Sequence, residues 1–162
     1  MRNTEFITKS SASSMPRKVL FIVNPNAGKR ISDHIIATIR KEFPQNIYFQ
    51  IVIWKDKNHF DEITALLKTE GYTDAVAVGG DGTVNHVAKT ILNTGITLGI
   101  VPIGSGNGLA RSLGLSMNIE QVIKQIAEGK TATIDNGTVN GIPFFCTSGI
   151  GSIVQFRNGC QN

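Results

Sequence analysis

One carboxylate in this chain stands where chemistry would be expected of it: Asp81, inside Gly79-Gly80-Asp81-Gly82-Thr83. The flanking glycines let the backbone approach a bulky anion and tolerate the positive φ angles a tight turn can require. Upstream, Ala75 to Val78 reads as a short buried strand. Downstream, Val84, Val87, Ala88, Ile91 and Leu92 fall at i, i+3, i+4, i+7 and i+8, the period of a helix. A strand feeding a glycine-rich turn that opens a helix gathers unbonded N–H groups and a positive dipole end at one point, a natural site for phosphate. A carboxylate beside a phosphate would be repelled. Asp81 therefore binds a cation, accepts a proton from an attacking hydroxyl, or caps the turn. A plain hairpin turn is the structural alternative, and the helical spacing after it argues against that.

A second loop has the same build. Thr97 to Ile103 reads as a strand running into Gly104-Ser105-Gly106-Asn107-Gly108, and a short helical turn, Leu109 to Leu113, follows. A third polar turn, Asn24 to Lys29, follows the apolar run Arg17 to Val23. The elements that must hold these loops alternate. Ser32 can cap a helix with Ile35, Ile36, Ile39 and Phe43 inward, ended by Pro44. Ile47 to Trp54 is a second strand, and Phe60, Ile63, Leu66 and Leu67 mark a helix that stops at Gly71. Asn118 caps an amphipathic helix carrying Ile119, Val122, Ile123 and Ile126, closed by Gly129. Strand–helix alternation predicts a parallel sheet covered on both faces. Right-handed crossovers then bring the loops out together at the carboxyl ends of the strands, so that two of them can meet over one ligand.

From Thr131 the pattern changes. Thr131 to Val139 and Ile142 to Cys146 read as strands joined at Asn140-Gly141, a strong hairpin signal. The expected organisation is a disordered tail over 1–16, an α/β domain over 17–130, and a β-hairpin over 131–162 that starts a second domain. Exposed edges near Phe144 and Phe145 would invite association into a homo-oligomer.

Composition bounds the function. The chain has 162 residues, 41% hydrophobic and 17% charged, with a net charge of +4. That is enough for one α/β domain with a core, mildly basic and compatible with nucleotides or an anionic surface. No basic run interleaved with aromatics points to nucleic acid. The longest apolar run, Val19 to Val23, is too short to span a bilayer, and no secretory leader is visible. Cys146 and Cys160 match no metal or redox spacing and read as free thiols, so the expected location is cytoplasmic. His34, His59 and His86 have no metal-ligand spacing, and no metal ligand is assigned.

Several glycine motifs are excluded by spacing. A P-loop needs a glycine where Val23 stands and Ser or Thr where Arg30 stands. The dinucleotide fingerprint needs its third glycine where Leu109 stands. Gly104-Ser105-Gly106 is one residue short of a nucleophile elbow.

Asn24-Pro25-x-Ala27-Gly28, Gly79-Gly80-Asp81-Gly82-Thr83-Val84-Asn85 and Pro102-x-Gly104-Ser105-Gly106-Asn107-x-x-Ala110-Arg111, in this order, resemble the diacylglycerol kinase catalytic domain, whose family includes sphingosine and ceramide kinases. The resemblance covers about residues 17 to 151. NAD kinases and phosphofructokinases carry relatives of the central motif, and the loop after Asn107 favours lipid kinases. The resemblance implies ATP-dependent phosphorylation of a lipid hydroxyl at a membrane surface, with Mg²⁺ and the protein acting mainly by positioning and charge neutralisation. It implies that Asn24, Gly28, Gly79, Gly80, Gly82, Thr83, Asn85, Gly104, Ser105 and Asn107 hold the nucleotide, with Lys29 or Arg30 as helpers. Asp81 would be the catalytic residue, orienting the acceptor hydroxyl or organising Mg²⁺ through water. A non-catalytic nucleotide-binding remnant and an NAD kinase-like enzyme are the alternatives.

Three departures stand out. The family usually has Glu at His86, which would complete a capping box from Thr83. Bacterial diacylglycerol kinases commonly have Asp at Gly108, whereas sphingosine kinases carry a small residue there. The family's Gly-x-Gly-Phe-Asp-Ala segment is replaced after Gly151 by Ser152-Ile153-Val154-Gln155, as a truncation or frameshift before the second domain would produce.

Overall fold

The structure is a computed structural model that describes residues 16–27, 33–139 and 141–145. Its centre is a parallel four-stranded sheet built from β1 (Lys18–Val23), β2 (Tyr48–Ile53), β3 (Asp74–Gly79) and β4 (Thr97–Pro102). The strand order is β2-β1-β3-β4. All six residues of β3 and the last five of β1 are buried, because these two strands lie in the middle and are covered on both faces.

The helices are α1 (Asp33–Glu42), α2 (Lys57–Thr69), α3 (Asp81–Ile91), α4 (Gly108–Ser112) and α5 (Ile119–Glu128). Ile35 and Ile39 of α1 join Val122 and Ile123 of α5 on the sheet face that presents Val19, Phe21, Val23, Val76 and Val78. Phe60, Ile63 and Leu67 of α2, Val84 and Val87 of α3, and Leu109 of α4 cover the opposite face, against Leu20, Ile22, Ala75 and Ala77. Alternate strand residues thus feed alternate cores, as period-two side chains require.

At the amino edge of the sheet, Arg17 ties three elements together. Its guanidinium donates to both carboxylate oxygens of Asp74 and to the carbonyls of Ile126 and Ala127 at the end of α5. Asp74 is nearly buried, so the pair locks the sheet to α5 at the end remote from the glycine loops.

Several expectations hold, including the four strands, the Asn118 cap on Gln121 N–H and the left-handed Gly129 that closes α5. Others need correction. Residues 131–136 form no strand. They are exposed and have no pairing partner, and the antiparallel hairpin is confined to β5 (Gly137–Val139) and β6 (Ile142–Phe144). Pairing starts at Gly137 because the Phe144 ring lies across it, where any Cβ would collide. Nor is Phe145 an open edge: it packs on the core beside α3, and its N–H donates to Asn85 Oδ1 at 3.3 Å. Ser32, Lys29, Arg30, the N-terminal tail, Asn140, Cys146, Cys160 and the Gly149–Gly151 segment lie outside the described residues.

Candidate functional site

Strand order decides where the site lies. From β1 the chain passes to β2 on one side, then returns across β1 to β3 on the other. The connections therefore diverge between β1 and β3, and ligands of open parallel sheets bind in the crevice left at such a point, beyond the carboxyl ends of the strands.

The two glycine loops meet there. Gly80 is the N-cap of α3 and Asn107 that of α4, and the loops come together backbone to backbone: a Cβ built on Gly104 would lie 2.5 Å from Gly80 Cα. A side chain at Gly104 is incompatible with this approach, and a Cβ at Gly80 would crowd Gly104 Cα at 3.2 Å. Asp81 lies on the seam. Its Oδ1 accepts weakly from Leu109 N–H at 3.4 Å, and its Oδ2 is 2.8 Å from where a Cβ on Gly106 would sit. A Cβ at Gly106 would make the carboxylate shift, whereas Gly108 keeps ordinary contact distance from it at 3.6 Å.

The first turn of α3 has no side-chain cap. A Cβ on Gly82 would meet nothing within 4 Å. The opening turn therefore presents backbone N–H groups to an open approach, as an anion site needs. Gly80 is the N-cap and Thr83 the third helical residue, so Thr83 cannot begin a capping box. Its buried hydroxyl instead accepts from Asn24 Nδ2 at 2.9 Å and fills the space against Gly79.

The asparagines turn out to shape the loops. Asn24 joins β1 to β3 through its N–H on the Val78 carbonyl, and its Oδ1 accepts from Asn26 N–H. Asn107 adopts the left-handed conformation, φ 53°, and its amide closes the turn by accepting from Gly104 N–H at 3.0 Å and donating to Gly104 O at 2.7 Å. Asn85 receives Phe145 N–H. Ser105 is exposed at the tip of the second loop. The structure therefore brings together Asn24, Gly79, Gly80, Asp81, Gly82, Thr83, Gly104, Ser105 and Asn107; Asn85 faces the hairpin, and Gly28 lies outside the described residues.

Sequence reasoning missed two features. Arg111 donates from Nε to the Gly106 carbonyl at 3.0 Å, setting a cation at the second loop. Beyond β1 and β2, Asn24, Asn26, Trp54, Lys55 and Asp56 line an open depression of about 160 Å³. Trp54 was the available signal, the chain's one tryptophan at the carboxyl end of a predicted strand. Among the described residues no cluster of three or more metal-ligating side chains exists, and no helix is long and apolar enough to cross a membrane.

Two glycine loops thus meet at the switch point of a parallel α/β domain, with a carboxylate on their seam. Residues 18–139 match the model of the diacylglycerol kinase catalytic domain, and the chain belongs to that family. It is 30% identical over 146 residues to a diacylglycerol kinase of Bacillus subtilis, a match covering 86% of this chain and 47% of that protein. It is 32% identical over 138 residues to sphingosine kinase 1 of Arabidopsis thaliana, covering 77% and 28% of the two chains. A crystal structure of a diacylglycerol kinase from Bacillus anthracis superimposes with a TM-score of 0.66 at 27% identity, over 79% of this chain and 48% of the other. The chain spans half or less of the length of these relatives.

Proposed function

We propose that this chain is the nucleotide-binding part of an ATP-dependent lipid kinase, which transfers the γ-phosphoryl group to a lipid hydroxyl of the diacylglycerol or sphingosine class. The observation that carries the reading is the contact of Gly80 with Gly104, which joins two loops over one point with Asp81 on the seam. In this reading the uncapped N–H groups of α3 and the tip of the Gly104 loop receive the phosphates, and the open space at Gly82 admits them. Mg²⁺ fits a site with one carboxylate, since it is commonly held by one or two carboxylates, substrate phosphates and water. Asp81 would hold it, and the ion would neutralise charge on the phosphates when bound. Asp81 would also orient the acceptor hydroxyl, and Arg111 would supply a further positive charge. A lipid substrate would place the domain at a membrane surface. Residues 17–130 would form the nucleotide-binding unit, and the hairpin would begin a second unit.

Calorimetric titration of the chain with Mg·ATP, and separately with NAD, tests this. Saturable binding of Mg·ATP without binding of NAD is expected. Binding of NAD in preference to ATP would move the reading to an NAD kinase-like enzyme, and binding of neither would overturn it.

A further inference from the structure

Trp54 ends the second strand and is fixed at both ends: its N–H donates to the Val23 carbonyl at 2.7 Å and its indole Nε1 to the Asp56 carbonyl at 2.6 Å. It lines the depression beside Asn24 and Asn26. Two rings pack on it that do not line the depression themselves. Phe60 of α2 lies with its centroid 4.9 Å away, and His86 of α3 lies 5.0 Å away, tilted by 35°. Phe60 and His86 meet edge to face at 4.1 Å. His86 thus links Trp54 to the helix that opens at Gly80 and Asp81.

The charges around this ring set its preferred form. Loss of water between two aromatic rings disfavours the imidazolium and is the largest influence, Lys89 on the same helix adds to it, and Asp61 of α2 opposes it. Lys55, Asp56 and His59 stand on the connection after Trp54, with His59 Nδ1 accepting from Lys55 N–H. Attraction of a cation to an indole face would favour the charged ring. Among burial and the neighbouring charges, burial and Lys89 outweigh Asp61 and hold the ring below the ordinary histidine value.

We infer that His86 is a positioning residue for Trp54: as a neutral ring it holds the indole as one wall of the depression, and on gaining a proton it releases that wall, weakening a nucleotide bound there. Protonated His86 recovers hydration by turning to the solvent at its exposed edge, and Trp54 loses one of its two ring partners. The ligand part of this inference rests on the nucleotide-binding reading above, and the ring part does not.

The test uses the full chain, whose indole fluorescence, excited to the red of tyrosine absorption, reports on Trp54 alone. Titrated from pH 8 to pH 5 without ligand, emission should change with a single midpoint below the ordinary histidine value of about 6.5. The transition should vanish in His86→Phe and in His86→Gln, and remain in His59→Gln. Mg·ATP affinity should fall between pH 7.5 and pH 5.5 by about two- to tenfold more in the native chain than in His86→Phe, the worth of one aromatic pair. Protonation of the phosphates is common to both proteins and cancels in that comparison. A fluorescence transition that is absent from the native chain, or that persists in both His86 variants, would overturn the inference, as would an equal change of affinity in native chain and His86→Phe. If no protein binds Mg·ATP at either pH, the nucleotide reading fails, while the ligand-free titration still decides the role of His86.

Discussion

Replacing Gly82 by valine separates ligand binding from folding more cleanly than any other change at the site. Gly82 is the second residue of α3, and a Cβ there would meet no atom within 4 Å. Glycine costs a helix interior about 1 kcal/mol relative to alanine and valine costs less, so the substitution should leave the fold unchanged or a few tenths of a kcal/mol more stable. The melting temperature should therefore move by less than about 2 °C. Binding should respond differently, because the isopropyl group fills the space before the N–H groups of the first turn. Loss of one charge-assisted hydrogen bond costs about 1.5–3 kcal/mol, which corresponds to roughly 10- to 100-fold weaker Mg·ATP binding by calorimetry. Affinity within twofold of the native chain, in a protein of normal melting temperature, would refute the placement of phosphate at this turn. Gly104→Ala is no substitute, since its Cβ would press on the Gly80 backbone and disturb the loops themselves.

Four further outcomes are expected. Asp81→Asn keeps an acceptor for Leu109 N–H, so urea unfolding should change by less than about 1 kcal/mol while the Mg²⁺ dependence of ATP affinity is reduced; an unaltered Mg²⁺ dependence would leave Asp81 a loop cap only. Arg17→Ala strands the nearly buried Asp74 carboxylate and should cost roughly 3 kcal/mol in urea unfolding, with part recovered in Arg17→Ala/Asp74→Asn. Burial, helped by Tyr48 and Glu70, raises the Tyr72 phenol to about 12. The unfolded phenol ionises near 10 and the folded one near 12, so its contribution is complete below pH 10 and lost as pH rises to 12; Tyr72→Phe should remove that part of the alkaline slope in stability measured from pH 9 to pH 12. Asn85→Ala removes the acceptor for Phe145 N–H, and hydrogen exchange at that amide should accelerate while exchange in β1 and β3 stays unchanged.

Much of this was legible in the sequence because the informative signals were local. Strand β3, the glycine turn and α3 are written in adjacent residues, and the parallel sheet follows from alternation along the chain. What escaped depended on contacts far apart in sequence. The amides of Asn24 and Asn85 are engaged by Thr83 and Phe145, 59 and 60 residues away, a scaffold role that the motifs carrying these residues do not announce. Thr83 resembled the start of a capping box, but Gly80 opens the helix three residues earlier and turns the hydroxyl toward Asn24. The stretch from Thr131 alternates like a strand yet finds no partner before Gly137. The Trp54, Phe60 and His86 cluster draws on three separate elements, and no periodicity announces such a meeting.

The central claim is that the two joined glycine loops are a phosphate site. The most direct measurement is a titration of the isotopically labelled chain with Mg·ATP followed through its backbone amide resonances. The largest shifts should fall on Gly80, Gly82 and Thr83 in the first loop and on Ser105 and Gly106 in the second, moving together with one dissociation constant. Shifts confined to other surfaces, or amides of the two loops that stay fixed while ATP binds, would contradict it.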